Sequence, residues 1–465
     1  MLGRTGDRQP AEQTLPAVAA GAIPGPRLPV ALQTLGFGLW PQRYLHWCAR
    51  RYGDRFTLRL ATIGPTVVVT DAPSIRDVFG LKSHEFSADS TMLEPFLGSK
   101  SLLCQDGEVH ARERRLLARA FRPEALTSYA DAMETITRRD LESWPIGREF
   151  AMHPRLQAIT LEVILRVAFG IDATDRLDEL RSRLAPFLRQ AGSLLVLNPG
   201  FRRELRGHSP WARFQRLRAE VLAALAEEVR QRRNAPDLEA RTDVLSLLLQ
   251  AESDGDHLED DEILHNLLTM LLAGHDTTAT ALGWTFDLLL HHPAAMERLR
   301  ADLENDGRDY IGAVIRESLR LRPVVIDTGR TLVQPTPIGD SVYPARTMIS
   351  PSILLAQHRA DVYPEPMEFR PERFLGGDAP EPLAWIPFGG GVRRCLGAGF
   401  AMLEMETILR TILGHCELTA ARAREDTQRR RAVTLFPRHG TRVVLTCRRP
   451  AQEGRAENAA RSSGS

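Results

Sequence analysis

The stretch Pro387-Phe-Gly-Gly-Gly-Val-Arg-Arg-Cys-Leu-Gly-Ala-Gly399 sets the interpretation of the whole chain. Its three consecutive glycines carry no side chain, so the loop can lie flat against a large rigid object. Cys395 follows them and precedes a helical stretch that starts at Ala401. Free N–H groups and partial positive charge at a helix N-terminus favour a thiolate, and Arg393 and Arg394 add positive charge. The pattern therefore predicts a functional thiolate at Cys395.

The rest of the composition limits the class of protein. The other four cysteines are scattered and no pair has zinc-site spacing, so we expect a reducing compartment and no disulfide framework. The N-terminus lacks the apolar core of a signal peptide, and no stretch approaches the ~20 apolar residues of a membrane span. We therefore expect a cytoplasmic protein with no transmembrane segment. With 60 basic and 59 acidic residues, the net charge of +1 gives no support for nucleic-acid binding.

Hydrophobic periodicity predicts a mainly α protein with small β-sheets, an α+β fold. From Pro73 to about Leu290, Leu, Ala, Glu and Arg recur at helical spacing. A hairpin turning at Gly64 is expected before that region. Short strands are expected in the segments 330–333, 347–350 and 442–447. We predict a flexible arm at residues 1–23, a single domain at 24–447 and a polar tail at 448–465.

One helix is expected to be unusually long. No proline occurs between Pro236 and Pro293, and Asp260 and Asp261 supply acidic start signals. A helix from there to His291 would hold about 30 residues and measure roughly 45 Å. Such a helix can cross a whole domain, so its middle is expected to be buried.

The spacing of Phe388, Gly391, Arg393, Cys395 and Gly397, F-x-x-G-x-R-x-C-x-G, resembles the haem-binding loop of the cytochrome P450 family. The resemblance implies that Cys395 is the axial thiolate ligand of haem iron, that Phe388 packs beneath it and that Arg393 meets a haem propionate. Gly397 removes a side chain where the loop must pass close. The resemblance also implies the cytochrome P450 fold, with the long central helix over the haem and the cysteine loop beneath it. The implied cofactor is haem b, iron protoporphyrin IX.

A second motif lies on the long helix. The segment Leu272-Ala-Gly-His-Asp-Thr-Thr278 is similar to the oxygen-activation segment of the family. Ala273 and Gly274 would let a flat macrocycle approach, Gly274 at a local cost of ~1 kcal/mol relative to alanine. The Thr277 hydroxyl can bond back to the Ala273 carbonyl or present itself to dioxygen, and Asp276 could relay protons from solvent.

Two groups of charged residues fit the same resemblance. Glu317 and Arg320 lie at i,i+3 on one helical face, and Arg373 in the segment 369–374 completes a triad that is buried and structural in the family. His110 and Arg114 lie at i,i+4 and resemble the propionate-binding pair of the family, with a solvated basic face as the alternative.

Arg330, after a short extended segment, is a further propionate candidate. Apolar residues that are candidates for the substrate pocket are Val324, Val325, Ile326, Leu435 and Phe436. The run Leu194-Leu-Val-Leu197 could form a mobile lid, or it could be the packed end of a helix.

The resemblance implies a haem-thiolate monooxygenase that inserts one oxygen atom from O2 into a largely apolar small organic substrate, such as a lipid, terpenoid, steroid or polyketide-like molecule. Only a polar tail follows Pro450, so electrons from NAD(P)H are expected to arrive through a separate ferredoxin or flavodoxin and its reductase. The short connection 299–311 and the lack of a hydrophobic anchor fit the soluble bacterial members.

Two alternatives stay open at this point. One is a peroxide-driven or other non-monooxygenase member of the same fold, and the other is a non-catalytic haem-binding protein. Neither needs the Asp276–Thr277 pair. We expect an acidic electron donor to dock on one helical face, which carries Arg112, Arg115 and Arg119, together with Arg394 beside the cysteine loop. The alternative is that this face is only solvated.

Overall fold

The computed structural model describes residues 23–449, apart from residues 62, 89, 91–92, 123–128, 172, 192–195, 197–199, 201, 204–206, 254–255, 306, 377–382 and 432. Within these residues the helices are α1 Val30–Leu39, α2 Pro41–Tyr52, α3 Ala72–Gly80, α4 Glu94–Leu97, α5 Gly107–Ala118, α6 Ala130–Leu141, α7 His153–Val163, α8 Thr174–Ala191, α9 Pro210–Arg233, α10 Val244–Leu249, α11 Asp260–His291, α12 Pro293–Glu304, α13 Asp309–Leu321, α14 Ile353–Gln357 and α15 Ala398–His415.

The strands are short and lie mostly near the two ends of the chain, as the periodicity predicts. They are β1 Arg55–Leu60, β2 Gly64–Val69, β3 Phe86–Ser87, β4 Glu149–Ala151, β5 Glu252–Ser253, β6 Asp256–His257, β7 Arg330–Leu332, β8 Thr336–Ile338, β9 Ser341–Tyr343, β10 Met348–Pro351, β11 Cys416–Ala420, β12 Gln428–Arg431, β13 Thr434–Pro437 and β14 Arg442–Arg448. The α+β fold class predicted from the sequence is confirmed.

The largest sheet joins distant parts of the sequence in the order β1-β2-β10-β7-β3. The predicted hairpin pairs Leu60 with Gly64, and Gly64 has the positive φ of +84° that the turn requires. Strand β10 then runs parallel to β2, with Met348 opposite Thr66, and antiparallel to β7. The region after Pro323 is therefore fixed to the N-terminal hairpin.

The long helix α11 has the predicted bounds, Asp260–His291, and contains 32 residues. A capping box starts it, because the Glu262 side chain accepts the backbone N–H of Glu259 at 2.9 Å. From Thr278 to Leu289 every residue is buried, so this half of the helix is surrounded by protein on all sides. Among the described residues, no helix is both long enough and apolar enough to cross a membrane.

Gly274 on α11 serves helix packing, which the sequence did not indicate. A Cβ at this position would lie 2.9 Å from Cδ1 of Ile164. Ile164 begins a π-helical turn, Ile164–Ala168, that extends α7. The missing side chain of Gly274 therefore admits Ile164, so helix packing by itself accounts for a glycine at this position.

The folded part of the chain extends one or two residues beyond each end of the predicted domain, residues 24–447. The carbonyls of Ile23 and Pro24 accept hydrogen bonds from Thr57, at 3.3 Å from Oγ1 and 2.8 Å from N. At the other end Arg448 ends β14, and the Arg449 N–H donates to the His415 carbonyl at 2.8 Å. Ile23 and Arg448 are thus part of the folded unit, because each is tied to a neighbouring element.

The Glu317–Arg320–Arg373 group forms a buried ionic network. Glu317 accepts from Arg320 Nε at 2.6 Å and Nη2 at 2.8 Å, and from Arg373 Nε at 3.3 Å. The Arg370 N–H donates to the same carboxylate at 2.9 Å, while Arg320 also donates to the Gln357 carbonyl. Both Glu317 and Arg320 have 0% exposed side chain. The network joins α13 to the segment that precedes the cysteine loop.

We expect Glu317→Gln to lower the free energy of unfolding by about 3 kcal/mol, since it leaves the Arg320 charge buried without a counter-ion. Chemical denaturation of the purified protein measures this. Glu134→Gln, which removes an exposed i,i+4 partner of Arg138, is the matched control and should cost less than about 0.5 kcal/mol. Equal losses in the two variants would show that the network is not a structural requirement.

Candidate functional site

The glycines before Cys395 allow the loop to pack on helix α3. A Cβ at Gly390 would overlap the Phe79 ring, and a Cβ at Gly391, where φ is +64°, would overlap the Phe79 carbonyl oxygen. The rigid object beneath these two glycines is therefore α3. At Gly397, by contrast, no described protein atom lies within 4 Å of the position that a Cβ would take, so protein packing alone does not require glycine there.

Cys395 lies between the glycine loop and the start of α15. Its N–H donates to the Phe388 carbonyl at 2.9 Å, and α15 begins at Ala398, three residues earlier than predicted. Phe388 itself packs edge-on against Trp385, with ring centroids 5.9 Å apart. Burial raises the pKa of the Cys395 thiol, while the Gly397 N–H and the Arg114 guanidinium act in the opposite direction. The residue as a whole is nevertheless exposed to solvent.

Three predicted propionate ligands come together beside this loop. His110 on α5 is 1% exposed and Arg330 on β7 is 4% exposed, while the Arg393 side chain is 8% exposed. Burial and then the charges of Arg393 and Arg114 lower the pKa of His110 to about 3, and burial and then Arg393 lower the pKa of Arg330 to about 10. Mutual repulsion of this kind requires that the groups be held close together.

Part of the hydrogen-bonding capacity of this cluster is unused. His110 Nδ1 and Arg393 Nε are buried without a hydrogen-bond partner among the described residues. Asp106 pairs with Arg393, and Arg114 donates to the Arg394 carbonyl at 2.7 Å. Burying guanidinium charges beside polar groups with unused donors is costly unless an anion completes the site. The two propionates of a haem are the right anions beside an exposed cysteine residue, so the residues present fit this cofactor.

The α11 segment around Ala273 packs against a hydrophobic cluster that the cysteine loop also contacts. Ala273 is exposed, and the Thr277 hydroxyl donates to the Ala273 carbonyl at 2.5 Å, one of the two arrangements that the sequence allows. Leu272 and Leu396, which adjoin Ala273 and Cys395 in sequence, pack against one hydrophobic cluster. The cysteine loop and the Ala273–Thr277 turn are thereby held in the same part of the molecule.

The Asp276 carboxylate is bound by two residues that no sequence motif indicated. Arg431 Nη2 donates to both carboxylate oxygens at 2.5 Å, and Gln157 Nε2 donates at 2.6 Å. Burial alone would raise the pKa of Asp276, but the Arg431 charge, with His275 and His153 nearby, lowers it. Arg431 belongs to a run of three arginines on β12 and Gln157 to no motif, so nothing in the sequence marked either.

The five pocket candidates separate into two groups. Val325 and Phe436 are partly exposed and can line a cavity. Leu435 is 0% exposed, Ile326 is 2% exposed and Val324 is 7% exposed, because all three pack in hydrophobic clusters. Their assignment to the pocket is wrong. Strand pairing explains this result, since Leu435 N–H donates to the Val324 carbonyl at 2.8 Å and turns both side chains into the core. The lid prediction at 194–197 lies outside the described residues except for Val196, which is buried.

The prediction that Arg112 on α5 is available to an acidic partner is wrong. Its guanidinium pairs with Asp256 at 2.6 Å and with Glu262 at 2.8 Å, so it connects α5 to β6 and α11. Arg115 and Arg394 are exposed, and Arg119 is partly exposed. Fewer arginines near the cysteine loop are therefore available to a partner than the helical periodicity of α5 predicted.

Three features together fit a haem-thiolate enzyme: a cysteine at a helix start, a buried group of donors that suits haem propionates, and a helix with an acid and an alcohol in adjacent positions. The family model described as "Cytochrome P450" matches residues 23–443. The chain belongs to the cytochrome P450 family, whose members are haem-containing monooxygenases, and the expectation from the sequence motifs is confirmed.

Individual relatives agree with this assignment. The chain is 38% identical over 441 residues to "Putative cytochrome P450 135B1" of Mycobacterium tuberculosis, and the match covers 92% of each chain. It is 39% identical over 410 residues to "Putative cytochrome P450 137" of the same species, covering 87% of this chain and 84% of the relative. Among solved structures, retinoic acid-bound cyanobacterial CYP120A1 has a TM-score of 0.79 at 28% identity, and the match covers 93% of this chain and 99% of that one.

A buried acid behind α11 was not marked by any motif either. Glu404 on α15 is 1% exposed and contacts Thr278, and its Oε1 has no hydrogen-bond partner among the described residues. Burial raises its pKa to about 8 from an ordinary value of 4.5, with the Thr278 hydrogen bond acting weakly against this. The folded protein therefore holds a proton on Glu404 at neutral pH.

This raised pKa predicts a pH-dependent stability. Between about pH 5 and pH 8 the unfolded chain has released the Glu404 proton and the folded chain has not, so stability falls as pH rises, by at most about 1.4 kcal/mol per pH unit from this group. Denaturant titrations at pH 6 and pH 8 measure the fall. We expect Glu404→Gln to reduce it, whereas Glu406→Gln, at a partly exposed position of the same helix, should leave it unchanged. If the parent and both variants lose the same stability between pH 6 and pH 8, Glu404 is not the group with the raised pKa.

Proposed function

We propose that this cytochrome P450 inserts one oxygen atom from O2 into a largely apolar small organic substrate, with electrons from NAD(P)H delivered by a separate redox partner. The observation that carries the proposal is the combination of Cys395, an exposed residue at the start of a helix, with buried donors of His110, Arg330 and Arg393. When bound, haem supplies the redox-active iron that activates dioxygen. Cys395 would be its protein ligand, and His110, Arg330 and Arg393 would hold its propionates.

The residues of α11 would control protons. The Thr277 hydroxyl can exchange its hydrogen bond to the Ala273 carbonyl for one to dioxygen, since both use the same O–H. Asp276 is held as a carboxylate by Arg431 and Gln157, so it would accept a proton only after one of these hydrogen bonds is released. A proton could then pass from solvent through Asp276 to Thr277 Oγ1, which is general acid catalysis by positioned groups.

Spectroscopy of the reduced, CO-bound protein tests the thiolate assignment. We expect the red-shifted Soret band that thiolate ligation produces, and its complete loss in Cys395→Ala. Cys104→Ala, a change at another partly buried cysteine, is the control and should keep the band. A red-shifted band that persists in Cys395→Ala would overturn the proposal.

We expect Thr277→Ala to bind haem and substrate as the parent does but to divert NAD(P)H oxidation into hydrogen peroxide, with product per NAD(P)H falling by at least about tenfold. Thr277→Ser restores a hydroxyl and should recover most of the coupling. Simultaneous assays of NAD(P)H, peroxide and product provide the measurement. Unchanged coupling in Thr277→Ala would favour the peroxide-driven alternative, which needs no proton delivery to dioxygen.

The exposed surfaces of Ala273, Val325 and Phe436 support an apolar substrate. CYP120A1, the similar solved structure, holds retinoic acid, which combines a long apolar part with one carboxyl group. These observations favour a lipid or terpenoid within the wider range of steroids and polyketide-like molecules. Spectral titration of the ferric protein with members of each class would identify the substrate class.

An acidic ferredoxin or flavodoxin, with its reductase, would supply electrons. Arg115 and Arg394 are exposed near the cysteine loop and would attract such a partner, while Arg112 would contribute little because two carboxylates neutralise it. The proposed docking surface is therefore Arg115 and Arg394 rather than the whole face of α5.

Charge reversal in Arg115→Glu should slow reduction by an acidic ferredoxin about fivefold at low salt, and the difference from the parent should shrink as salt screens the attraction. Stopped-flow reduction under CO measures the rate. Arg424→Glu, an exposed arginine elsewhere, serves as the control, and peroxide-supported turnover should be equal in all three proteins. If Arg115→Glu and the parent are reduced at equal rates at low salt and at high salt, Arg115 does not belong to the docking surface.

A further inference from the structure

Helix α1 presents its apolar side to solvent. Leu32, Leu35 and Leu39 share one helical face and are 51%, 50% and 55% exposed. The opposite face carries Gln33 and Phe37, which are buried. An apolar face of this kind on the outside of a protein usually marks an interaction site.

Hydrogen bonds, together with the buried Phe37 ring, fix the orientation of α1. The Gln33 amide donates to the carbonyls of Pro26 at 3.0 Å and Leu28 at 2.8 Å, and its oxygen accepts the Arg59 N–H at 2.9 Å. Thr34 accepts the Ala61 N–H at 3.0 Å. These bonds hold the polar side of α1 against β1, so the leucines cannot turn inward without breaking them.

The neighbouring helix α2 adds positive charge and aromatic rings. Arg43, Trp47, Arg50 and Arg51 follow at helical spacing on this helix, and Trp40 before the helix is 56% exposed. Tyr44 stacks on Trp47 with ring centroids 5.8 Å apart, and a Cβ at Gly36 would lie 3.0 Å from the Tyr44 ring, so α1 and α2 are in direct contact. The two faces form one surface, which we call the α1–α2 surface.

The α1–α2 surface contains no acidic group. Residues 23–53 include Arg27, Arg43, Arg50 and Arg51 and no Asp or Glu. Among the described residues, none of these four arginines forms an ion pair with a carboxylate. This part of the chain is therefore strongly cationic, although the net charge of the whole protein is only +1.

We propose that the α1–α2 surface binds the headgroup region of an anionic lipid bilayer. Leucines would enter the acyl boundary, the tryptophans would lie at the headgroup level, and the arginines would pair with phosphates. This combination of an apolar face, indole rings and arginines without carboxylate partners is what peripheral binding to an anionic bilayer requires. No membrane-spanning helix is needed.

Other occupants fit less well. A symmetric second copy would bring the same arginines face to face, which is repulsive. The segments 1–22 and 450–465 contain few large apolar side chains, among them Leu2 and Leu15, and so are poorly suited to cover three leucines and two tryptophans. A nucleic acid would use the arginines and leave the leucines in water.

Vesicle sedimentation of the full chain tests the proposal. We expect binding to vesicles of phosphatidylglycerol and phosphatidylcholine, about tenfold weaker binding to phosphatidylcholine alone, and weakening by salt. The triple variant Leu32→Gln, Leu35→Gln, Leu39→Gln should bind about tenfold more weakly, and the single variant Leu35→Gln severalfold more weakly. Arg43→Gln with Arg50→Gln should remove most of the preference for phosphatidylglycerol.

Matched changes elsewhere give the controls. Met367→Gln, at a residue that is 50% exposed, and Arg422→Gln with Arg424→Gln should bind as the parent does. The proposal is overturned if the parent does not bind phosphatidylglycerol vesicles, or if the leucine variants bind as well as the parent. Self-association that the leucine variants abolish, in a parent that ignores vesicles, would instead assign the surface to a second copy.

Discussion

Repulsion among buried cations is the constraint around which this structure is organised. The cations are Arg330 from a strand and Arg393 from the cysteine loop; the neutral His110 imidazole of α5 lies beside them, and all three are almost fully removed from solvent. A cluster of this kind is unfavourable by itself, because each charge loses hydration and faces another charge of the same sign. An anion would stabilise it, so the cofactor that we propose for this site would require α5, β7 and the Cys395 loop to be positioned together.

The ion pair between Asp276 and Arg431 links the catalytic helix to the last part of the chain. Arg431 lies on β12, and its partner strand β13 packs against α11 through the hydrogen bond from Trp284 to the Leu435 carbonyl at 2.9 Å. The small C-terminal hairpin therefore sets both the position and the ionisation of Asp276. Changes in this hairpin can alter proton delivery without contacting the substrate.

Short motifs and helical periodicity predicted the parts of the molecule that depend on local sequence. The bounds of α11, the turn at Gly64 and the association of Glu317, Arg320 and Arg373 belong to this group. The partners of long-range contacts were not predictable, because Arg431 and Gln157 meet Asp276 from 155 and 119 residues away. The packing of Gly274, Leu435 and Arg112 was not predictable for the same reason: their partners, Ile164, the Val324 segment and Asp256, are distant in sequence.

The parallel pairing of β2 with β10 has a consequence for biosynthesis. Thr66 is synthesised about 280 residues before its partner Met348, a delay of roughly 15 to 60 s at ribosomal rates. During that time the hairpin β1–β2 has an unpaired edge, which is the kind of edge that promotes aggregation. Cys395 emerges later still, so the nascent chain must remain protected from aggregation until nearly its whole length is available for folding.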